Sequence, residues 1–157
     1  MLRVDVPGWK ALELEHLLLD FNGTLAQDGV LIEGVLPLLE ELSADLGIHV
    51  LTADTHGSVH RQCNAAFFTV HVLGEGSQEL GKQAYLHKLG AERCIAVGNG
   101  RNDCLMLSDA ALGIALLQTE GLASGTLAAS DLLFGSVTDA LEALLSPKRL
   151  IASLRDR

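Results

Sequence analysis

The sequence predicts an α/β fold, a three-layer, doubly wound sheet of mostly parallel strands with helices on both faces. Short apolar runs alternate with helical patterns along almost all of the 157 residues, as expected for successive βαβ units. The composition is 48% hydrophobic but only 4% aromatic. Leu, Val, Ile and Ala must therefore fill the core, which suits strands that are buried on both faces.

The first half of the chain contains four predicted strands and two predicted helices. Alternating or continuous apolar runs predict the strands, and apolar residues three or four positions apart predict the helices. Gly47 is a stop signal for the first helix. In order, these are strands at 2–6 and 12–21, a loop or flap punctuated by Gly23, Asp28 and Gly29, a helix at 34–47, a strand at 48–54, a helix at 57–66 and a strand at 67–73.

The second half continues the alternation and ends in a helical tail. Helices are predicted at 78–90, 102–111, 119–129 and 136–145, and strands at 94–100, 112–117 and 131–136. The length fits one domain with its own core. We therefore expect a single domain over residues 1–157, with a tail at about 147–157 that packs on the core or on a neighbouring subunit.

Charge and cysteine content exclude several classes of function. The net charge is −9 and no Lys/Arg cluster stands out, so nucleic-acid binding is not expected. Three cysteines without a C-x-x-C pair, Cys63, Cys94 and Cys104, indicate free thiols in a reducing compartment. The first residues do not resemble a signal peptide, and no apolar run approaches roughly 20 residues. We expect a soluble, cytoplasmic protein that does not bind membranes.

Residues with chemical potential follow the predicted strands, where doubly wound sheets bind ligands. Asp20 ends the HLLL run, and a carboxylate there can attack phosphorus or bind a cation. Thr52 follows HVL and can hold phosphate oxygens, and Lys82 supplies a positive charge from the next helix. The loop 98–103 carries oxygen side chains that suit a hard cation such as Mg²⁺.

These segments resemble the motifs of the haloacid dehalogenase (HAD) superfamily. DFNGTLA (20–26), LTADT (51–55) and GNGRND (98–103) resemble its first, second and fourth motifs, and Lys82 resembles the lysine of the third. The similarity covers roughly residues 12–145. It is greatest to the capless soluble proteins that resemble the phosphorylation domain of P-type ATPases. The resemblance implies a Rossmann-like, HAD-like core and a phosphohydrolase activity.

The resemblance also implies a role for each matching residue. Asp20 would be the nucleophile that forms an aspartyl-phosphate, and Mg²⁺ would be the cofactor. These roles agree with phosphoryl transfer as a matter of positioning and charge neutralisation. The resemblance assigns catalytic roles to Asp20, Asn22, Thr52 and Lys82, phosphate binding to Thr52, Ala53, Lys82 and Asn102, and Mg²⁺ binding to Asp20, Asn22, Asn99 and Asp103.

Two positions depart from the superfamily pattern. Asn22 stands where phosphatases usually carry an Asp that transfers protons, so turnover should be slow and should favour good leaving groups. Asn99 stands where an Asp ligand is expected, so weaker Mg²⁺ binding is predicted. The two departures leave open a catalytically degenerate module that binds a phosphate ligand or a partner.

The spacing of the motifs leaves no room for a cap domain. Only 31 residues separate Asp20 from Thr52, and 29 separate Thr52 from Lys82. An open site suits a large substrate, or a second copy of the chain that acts as a cap in a homo-oligomer. The apolar segments Val30–Ile32 and Leu150–Ile151 could form that contact or pack on their own core. The phosphorylated substrate can accordingly be a small molecule or a macromolecule.

Two further patterns offer alternatives. Residues 76–82 match G-x-x-x-x-G-K, but Gln83 replaces the Ser or Thr of a nucleotide-binding P-loop. A P-loop nucleotide binder is therefore a third hypothesis. His56 and His60 have the spacing of two metal ligands on a helix, although the sequence shows no third ligand.

Overall fold

Six parallel strands form the central sheet of the computed structural model, which describes residues 1–54, 57–62 and 66–157. Its order is β10-β9-β8-β3-β6-β7, and all neighbours are parallel. The described strands are β1 (Leu2–Asp5), β2 (Ala11–Leu14), β3 (His16–Asp20), β4 (Ala26–Gln27), β5 (Val30–Leu31), β6 (Gly47–Thr52), β7 (Phe68–Val72), β8 (Cys94–Gly98), β9 (Leu112–Leu116) and β10 (Leu132–Phe134). The described helices are α1 (Val35–Leu42), α2 (Ser58–Gln62), α3 (Gln78–Leu89), α4 (Cys104–Asp109), α5 (Ser124–Ala129), α6 (Val137–Leu145) and α7 (Pro147–Leu154).

The chain changes direction across the sheet at β3. After β3 it builds outward through β6 and β7, and it then crosses back to add β8, β9 and β10 on the other side. The carboxyl end of β3 therefore lies at a topological switch point, where open α/β sheets bind their ligands. Asp20 is the last residue of that strand. The three-layer fold class predicted from the sequence is confirmed.

The strands are buried on both faces, which explains their continuous apolar sequences. Leu17 and Leu19 of β3 belong to one apolar core, together with side chains of α1 and α6. Leu18 points to the opposite face and belongs to a second core, with Leu86 of α3 and Met106 of α4. Successive side chains of a strand thus stabilise two different helix layers.

Serine side chains mark the beginnings of two helices. The Ser77 hydroxyl accepts a hydrogen bond from the backbone N–H of Leu80 at 3.3 Å, and the Ser136 hydroxyl accepts one from Asp139 at 3.2 Å. Such caps satisfy N–H groups that the first turn leaves without partners. The cap at Ser77 therefore sets where α3 begins, and with it the position of Lys82 one turn later.

The predicted strand at 12–21 is in fact two strands in two sheets. β2 forms an antiparallel hairpin with β1, whereas β3 joins the central sheet. The change occurs at Glu15, whose backbone N–H donates to Arg93 and whose carbonyl accepts from Gly47, both at 2.8 Å. The alternating LEL sequence is half-buried in the hairpin, and the apolar run begins only where the strand becomes central.

Two predicted helices are shorter in the structure. The helix expected at 119–129 begins only at Ser124, because Gln118 and Gly121 have positive φ angles of 34° and 85° and break the turn. The helix expected at 34–47 ends at Leu42, and Gly47 begins β6 instead of ending the helix. After Leu42 the backbone continues in turns, in which the Leu46 N–H donates to the Leu42 carbonyl at 3.0 Å.

The helical tail lies against the rest of the fold. Leu150 of α7 is completely buried and Ile151 is half-buried, and α7 contacts α6 and β1. The backbone N–H of Asp156 also donates to Pro7 at 3.0 Å.

Within the described residues, neither the connection from Asp20 to Thr52 nor the connection from Thr52 to Lys82 folds into a cap domain. No helix among the described residues is long and apolar enough to cross a membrane.

Truncating Leu150 tests the proposal that the tail belongs to a single domain over residues 1–157. We expect Leu150→Ala to lower the free energy of unfolding by about 2–4 kcal/mol, because it leaves a cavity under α7. Urea denaturation measures the change. The exposed neighbour Ser153→Ala serves as the control and should shift the midpoint little. Equal stability of both variants would contradict the proposal.

A cluster of three histidines and a tyrosine fills the space between α3 and the β6–β7 edge. His49 Nε2 lies 3.2 Å from His16 Nδ1, and His49 Nδ1 lies 2.9 Å from the Tyr85 hydroxyl. The His71 ring stacks on Tyr85 with ring centroids 4.3 Å apart. Burial, together with the nearby His16 and His71, lowers the pKa of His49 to about 4.

The lowered pKa of His49 predicts a loss of stability in mild acid. The unfolded chain binds a proton at this residue near pH 6.5, whereas the folded chain resists it down to about pH 4. The His49 contribution is therefore complete above pH 6.5 and is lost as the pH falls through this window. Thermal unfolding between pH 7.5 and 4.5 should show a shallower pH dependence for His49→Gln than for the wild type. The exposed His60→Gln is the control, and parallel curves for all three proteins would refute the assignment.

Candidate active site

The carboxyl ends of β3, β6 and β8 surround a cavity of about 410 Å³. Seven of the eight residues predicted as site residues line it, and Asp103 does not. The lining consists of Asp20, Asn22, Thr52, Ala53, Asp54, Ser58, Gln78, Lys82, Asn99, Gly100 and Asn102. The fold thus brings together segments from four separate parts of the chain.

Asp20 lies at the floor of this cavity. Its side chain is largely buried, and its Oδ1 accepts a hydrogen bond from Lys82 Nζ at 2.8 Å. Burial and the nearby Asp103 carboxylate together raise the pKa of Asp20 to about 7, against the opposing effect of Lys82. A perturbed carboxyl group at a strand end inside a cleft is typical of a reactive centre.

Lys82 reaches the site from α3 and is only 1% exposed. Its ammonium group donates to Asp20 Oδ1 at 2.8 Å, to Asn102 Oδ1 at 2.9 Å and to Asp103 Oδ1 at 2.6 Å. Burial alone would lower the pKa of Lys82, but the two carboxylates outweigh it and raise the pKa above its usual value. Lys82 is therefore a fixed positive charge at the cavity wall.

Asp103 is completely buried, does not line the cavity, and contacts Lys82 through Oδ1. Its second oxygen, Oδ2, accepts the backbone N–H groups of Asn99 at 3.0 Å and Gly100 at 2.9 Å. The absence of a side chain at Gly98 makes this possible, because a Cβ there would collide with the Asp103 carboxyl group. Asp103 thus binds Lys82 and the loop after β8 through hydrogen bonds, and its part in cation binding stays a prediction.

Asn102 connects Lys82 to the start of α3. Its Oδ1 accepts from Lys82, and its Nδ2 donates to Gln78 Oε1 at 2.8 Å. Gln78 was not predicted as a site residue. Gln78 lies four residues before Lys82 on one helix, so both side chains are on the same face. That spacing is the sequence signal that could have identified Gln78.

Thr52 and Ala53 form the opposite wall. Thr52 is buried, and its hydroxyl accepts from the backbone N–H of Asp54 at 3.0 Å. Asp54 in turn accepts from the Ser58 hydroxyl at 2.6 Å and from the Val59 N–H at 3.0 Å, through the same Oδ2. Asp54 therefore fixes the start of α2 at the edge of the cavity.

Asn22 is exposed and lies on the turn that follows Asp20. The Phe21 carbonyl accepts from both Leu25 and Ala26, and Gly23 adopts a φ of 78° to close the turn. Gly23 also packs against Asn99, whose Nδ2 donates to the Gly121 carbonyl at 3.0 Å. This bond orients Asn99 and leaves its amide oxygen as the atom that can bind a cation.

The predicted flap is a short hairpin of β4 and β5 that is tied down on two sides. Gln62 of α2 donates to the Gly29 carbonyl at 2.6 Å and accepts from the Leu31 N–H at 2.8 Å. On the other side, Glu120 accepts from the Asp28 N–H at 3.0 Å. Leu31 and Ile32 pack on the core, whereas Val30 at the tip is 66% exposed.

The donors near Asp20 suit a hard cation in their chemistry, because they are all oxygen atoms. They are the Asp20 carboxylate, the Asn22 carbonyl and the Asn99 amide. Among the described residues, no three His, Cys, Asp or Glu side chains are close enough to hold a metal ion by themselves. A cation held by these three donors would therefore depend on two neutral oxygens and the Asp20 carboxylate.

The remaining sequence patterns are the P-loop match, the histidine pair and the cysteines. Lys82 lies inside α3, and residues 78–82 are helical, so they do not form the loop of a P-loop. His60 is exposed, and its partner His56 lies outside the described residues, as does Cys63. Cys94 and Cys104 are free thiols.

Comparison with known proteins identifies one curated relative. No family model matches the chain. An uncharacterized protein of Methanocaldococcus jannaschii is 41% identical over 85 residues, which is 52% of this chain and 91% of the relative.

Solved structures share the fold over most of the chain. A Streptomyces avermitilis protein assigned to the HAD hydrolase family has a TM-score of 0.65 at 18% identity, covering 90% of this chain and 87% of that one. The 3-deoxy-D-manno-octulosonate 8-phosphate phosphatase of Moraxella catarrhalis, solved with magnesium, phosphate and its sugar acid, has a TM-score of 0.67 at 17% identity, covering 90% and 94%. A phosphoserine phosphatase, solved as an analogue of its phospho-aspartyl intermediate, has a TM-score of 0.65 at 15% identity, covering 83% and 98%.

The solved structures share the fold of this chain, and the M. jannaschii relative shares its sequence. At these identities the solved structures establish the fold, while the M. jannaschii protein establishes kinship in sequence. The chain therefore belongs to the same family as the uncharacterized M. jannaschii protein, and it has the fold of the haloacid dehalogenase superfamily.

Proposed function

We propose that the chain is a Mg²⁺-dependent phosphohydrolase that acts through an aspartyl-phosphate on Asp20. The observation that carries this proposal is the pairing of Asp20 with the buried Lys82 ammonium at the floor of a strand-end cavity. A carboxylate nucleophile beside a fixed positive charge is what phosphoryl transfer requires. Phosphatases with the same fold, including one solved as a phospho-aspartyl analogue, support the choice.

In this proposal, the two walls of the cavity bind the phosphoryl group. Lys82 neutralises charge on its oxygens, and Asn102 holds the ammonium group in place. Thr52 and the backbone of Ala53 bind the oxygens on the opposite side. Positioning and charge neutralisation are the main protein contributions to such a reaction.

The cation would be held by the Asp20 carboxylate, the Asn22 carbonyl and the Asn99 amide oxygen. When bound, Mg²⁺ supplies a positive charge that offsets the charge of the phosphoryl oxygens. Asp103 leaves this ligand set in our proposal, because both of its oxygens are used by Lys82 and by the loop N–H groups. A magnesium ion in the Moraxella phosphatase and the oxygen donors of this cavity support the assignment.

The substrate that we propose is a phosphorylated small molecule with a good leaving group. The cavity has a volume of about 410 Å³, which is in the range of small-molecule sites. The Asn22 amide is not acidic enough to protonate a leaving group, so an acyl phosphate should react faster than an alkyl ester. A net charge of −9 disfavours nucleic-acid substrates.

A second candidate is a non-catalytic module that binds a phosphate ligand in the same cavity. The two amides at Asn22 and Asn99 favour it, because each replaces a carboxylate that the catalytic pattern uses. Binding needs only Lys82, Thr52 and the loop, which are intact. Turnover therefore discriminates between the candidates, whereas phosphate affinity does not.

Replacing the proposed nucleophile tests the mechanism directly. We expect Asp20→Asn to reduce hydrolysis of acetyl phosphate by about 10³-fold or more, because no covalent intermediate can form. A beryllofluoride-type mimic should bind the wild type and not the variant. The exposed Asp5→Asn on β1 is a matched control and should keep wild-type turnover. Unchanged turnover in Asp20→Asn would exclude the mechanism.

Restoring a carboxyl group beside Asp20 tests the role of Asn22. We expect Asn22→Asp to raise turnover of an alkyl phosphate about 10²-fold, since a general acid contributes 10²–10⁴-fold in rate. The gain should be smaller for acetyl phosphate, whose leaving group needs less protonation. Steady-state kinetics with both substrates measures the difference. If both proteins lack turnover over a broad phosphoester panel, the binding module is the better description.

A further inference from the structure

The proposed cation site is short of negative charge. Asp103 is engaged by Lys82 and by the loop, and Asn99 is a neutral amide. Asp20 is then the carboxylate of the proposed ligand set, and it also accepts from Lys82. Mg²⁺ sites are usually built around one or two carboxylates, so a further anion close to Asn99 would change the affinity appreciably.

Glu120 brings such an anion to the side of Asn99. It lies on the connection between β9 and α5. A side-chain carbon built on Gly23 would be 2.7 Å from Glu120 Oε2, 2.8 Å from Asn99 Oδ1 and 2.5 Å from Asn99 Nδ2. The Glu120 carboxylate and the Asn99 amide therefore converge on one point, above the Cα of Gly23. Gly23 in turn follows the Asn22 carbonyl that would bind the cation.

Several hydrogen bonds hold the Glu120 segment in this position. Glu120 Oε1 accepts from the Asp28 N–H at 3.0 Å, and the Gly121 carbonyl accepts from Asn99 Nδ2 at 3.0 Å. The backbone N–H of Ala123 donates to the Asn99 carbonyl at 2.9 Å. The segment is thus attached to Asn99 at two points. The hydrogen bond from Asp28 of the flap holds the Glu120 side chain near Asn99.

We propose that the Glu120 carboxylate supplies the cation site with the negative charge that Asn99 lacks. The inference rests on the proposed cation site, and it adds a residue that the motif pattern does not contain. Mg²⁺ keeps several of its waters when it binds protein, so Glu120 can act through water without joining the ligands. Because Glu120 is exposed, solvent weakens its attraction, and the effect should decrease as salt is added.

Calorimetric titration of Mg²⁺ into the substrate-free protein tests the proposal. We expect Glu120→Gln to weaken Mg²⁺ binding about tenfold at low salt and less at high salt. Gln retains the oxygen that accepts from Asp28, so the variant removes the charge and keeps the flap contact. Glu92→Gln is the matched control, because it removes the same charge directly before β8, at the amino end of that strand and not at the carboxyl end where the cavity lies.

A second protein background, Asn99→Asp, shows whether the Glu120 charge compensates for the neutral side chain of Asn99. We expect Asn99→Asp to tighten Mg²⁺ binding, and Glu120→Gln to cost less in that background than in the wild type. Equal affinities of Glu120→Gln and the wild type, equal costs in both backgrounds, or no Mg²⁺ binding by the wild type would each overturn the inference. Mg²⁺ binding without turnover would contradict the proposed hydrolase activity and leave this inference standing.

Discussion

The ammonium group of Lys82, buried between the carboxylates of Asp20 and Asp103, is the interaction on which the site depends. Taking three charged groups out of water costs several kcal/mol per ion, and their attraction offsets this cost only if their hydrogen bonds are complete. Here all three ammonium donors have acceptors, because Asn102 receives the third. Removing the Lys82 ammonium would leave two buried carboxylates uncompensated, at a cost of about 3–5 kcal/mol.

This ion cluster also determines how the surrounding elements lie. Asp103 binds Lys82 through one oxygen and the N–H groups of Asn99 and Gly100 through the other, so α3 and the loop after β8 are held by one side chain. The loop can approach so closely only because Gly98 has no side chain. The placement of Asn99, and through it of the Glu120 segment, follows from the same contacts.

The sequence predicted most of the cavity because its signals are local. Asp20, Thr52 and Asn99 each follow an apolar run, and parallel strands bring their carboxyl ends to one edge. The direction in which Asp103 points was not predictable, since it depends on Lys82, 21 residues away, and on Gly98. The contact of Glu120 with the turn at Gly23 is equally non-local. The division of 12–21 into β2 and β3 depends on which sheet each half joins, and only the packed structure determines this.

The reversal of strand order at β3 has a consequence for how the site comes into being. Asp20 and Thr52 belong to the half of the sheet that ends with β7, while Lys82, Asn99 and Asn102 belong to the half that begins with α3 and β8. Neither half contains a complete cavity, and the bond between Asp20 and Lys82 joins them across 62 positions in the chain. The site is therefore a reporter of complete folding, since it forms only when the two halves have docked along β3 and β8.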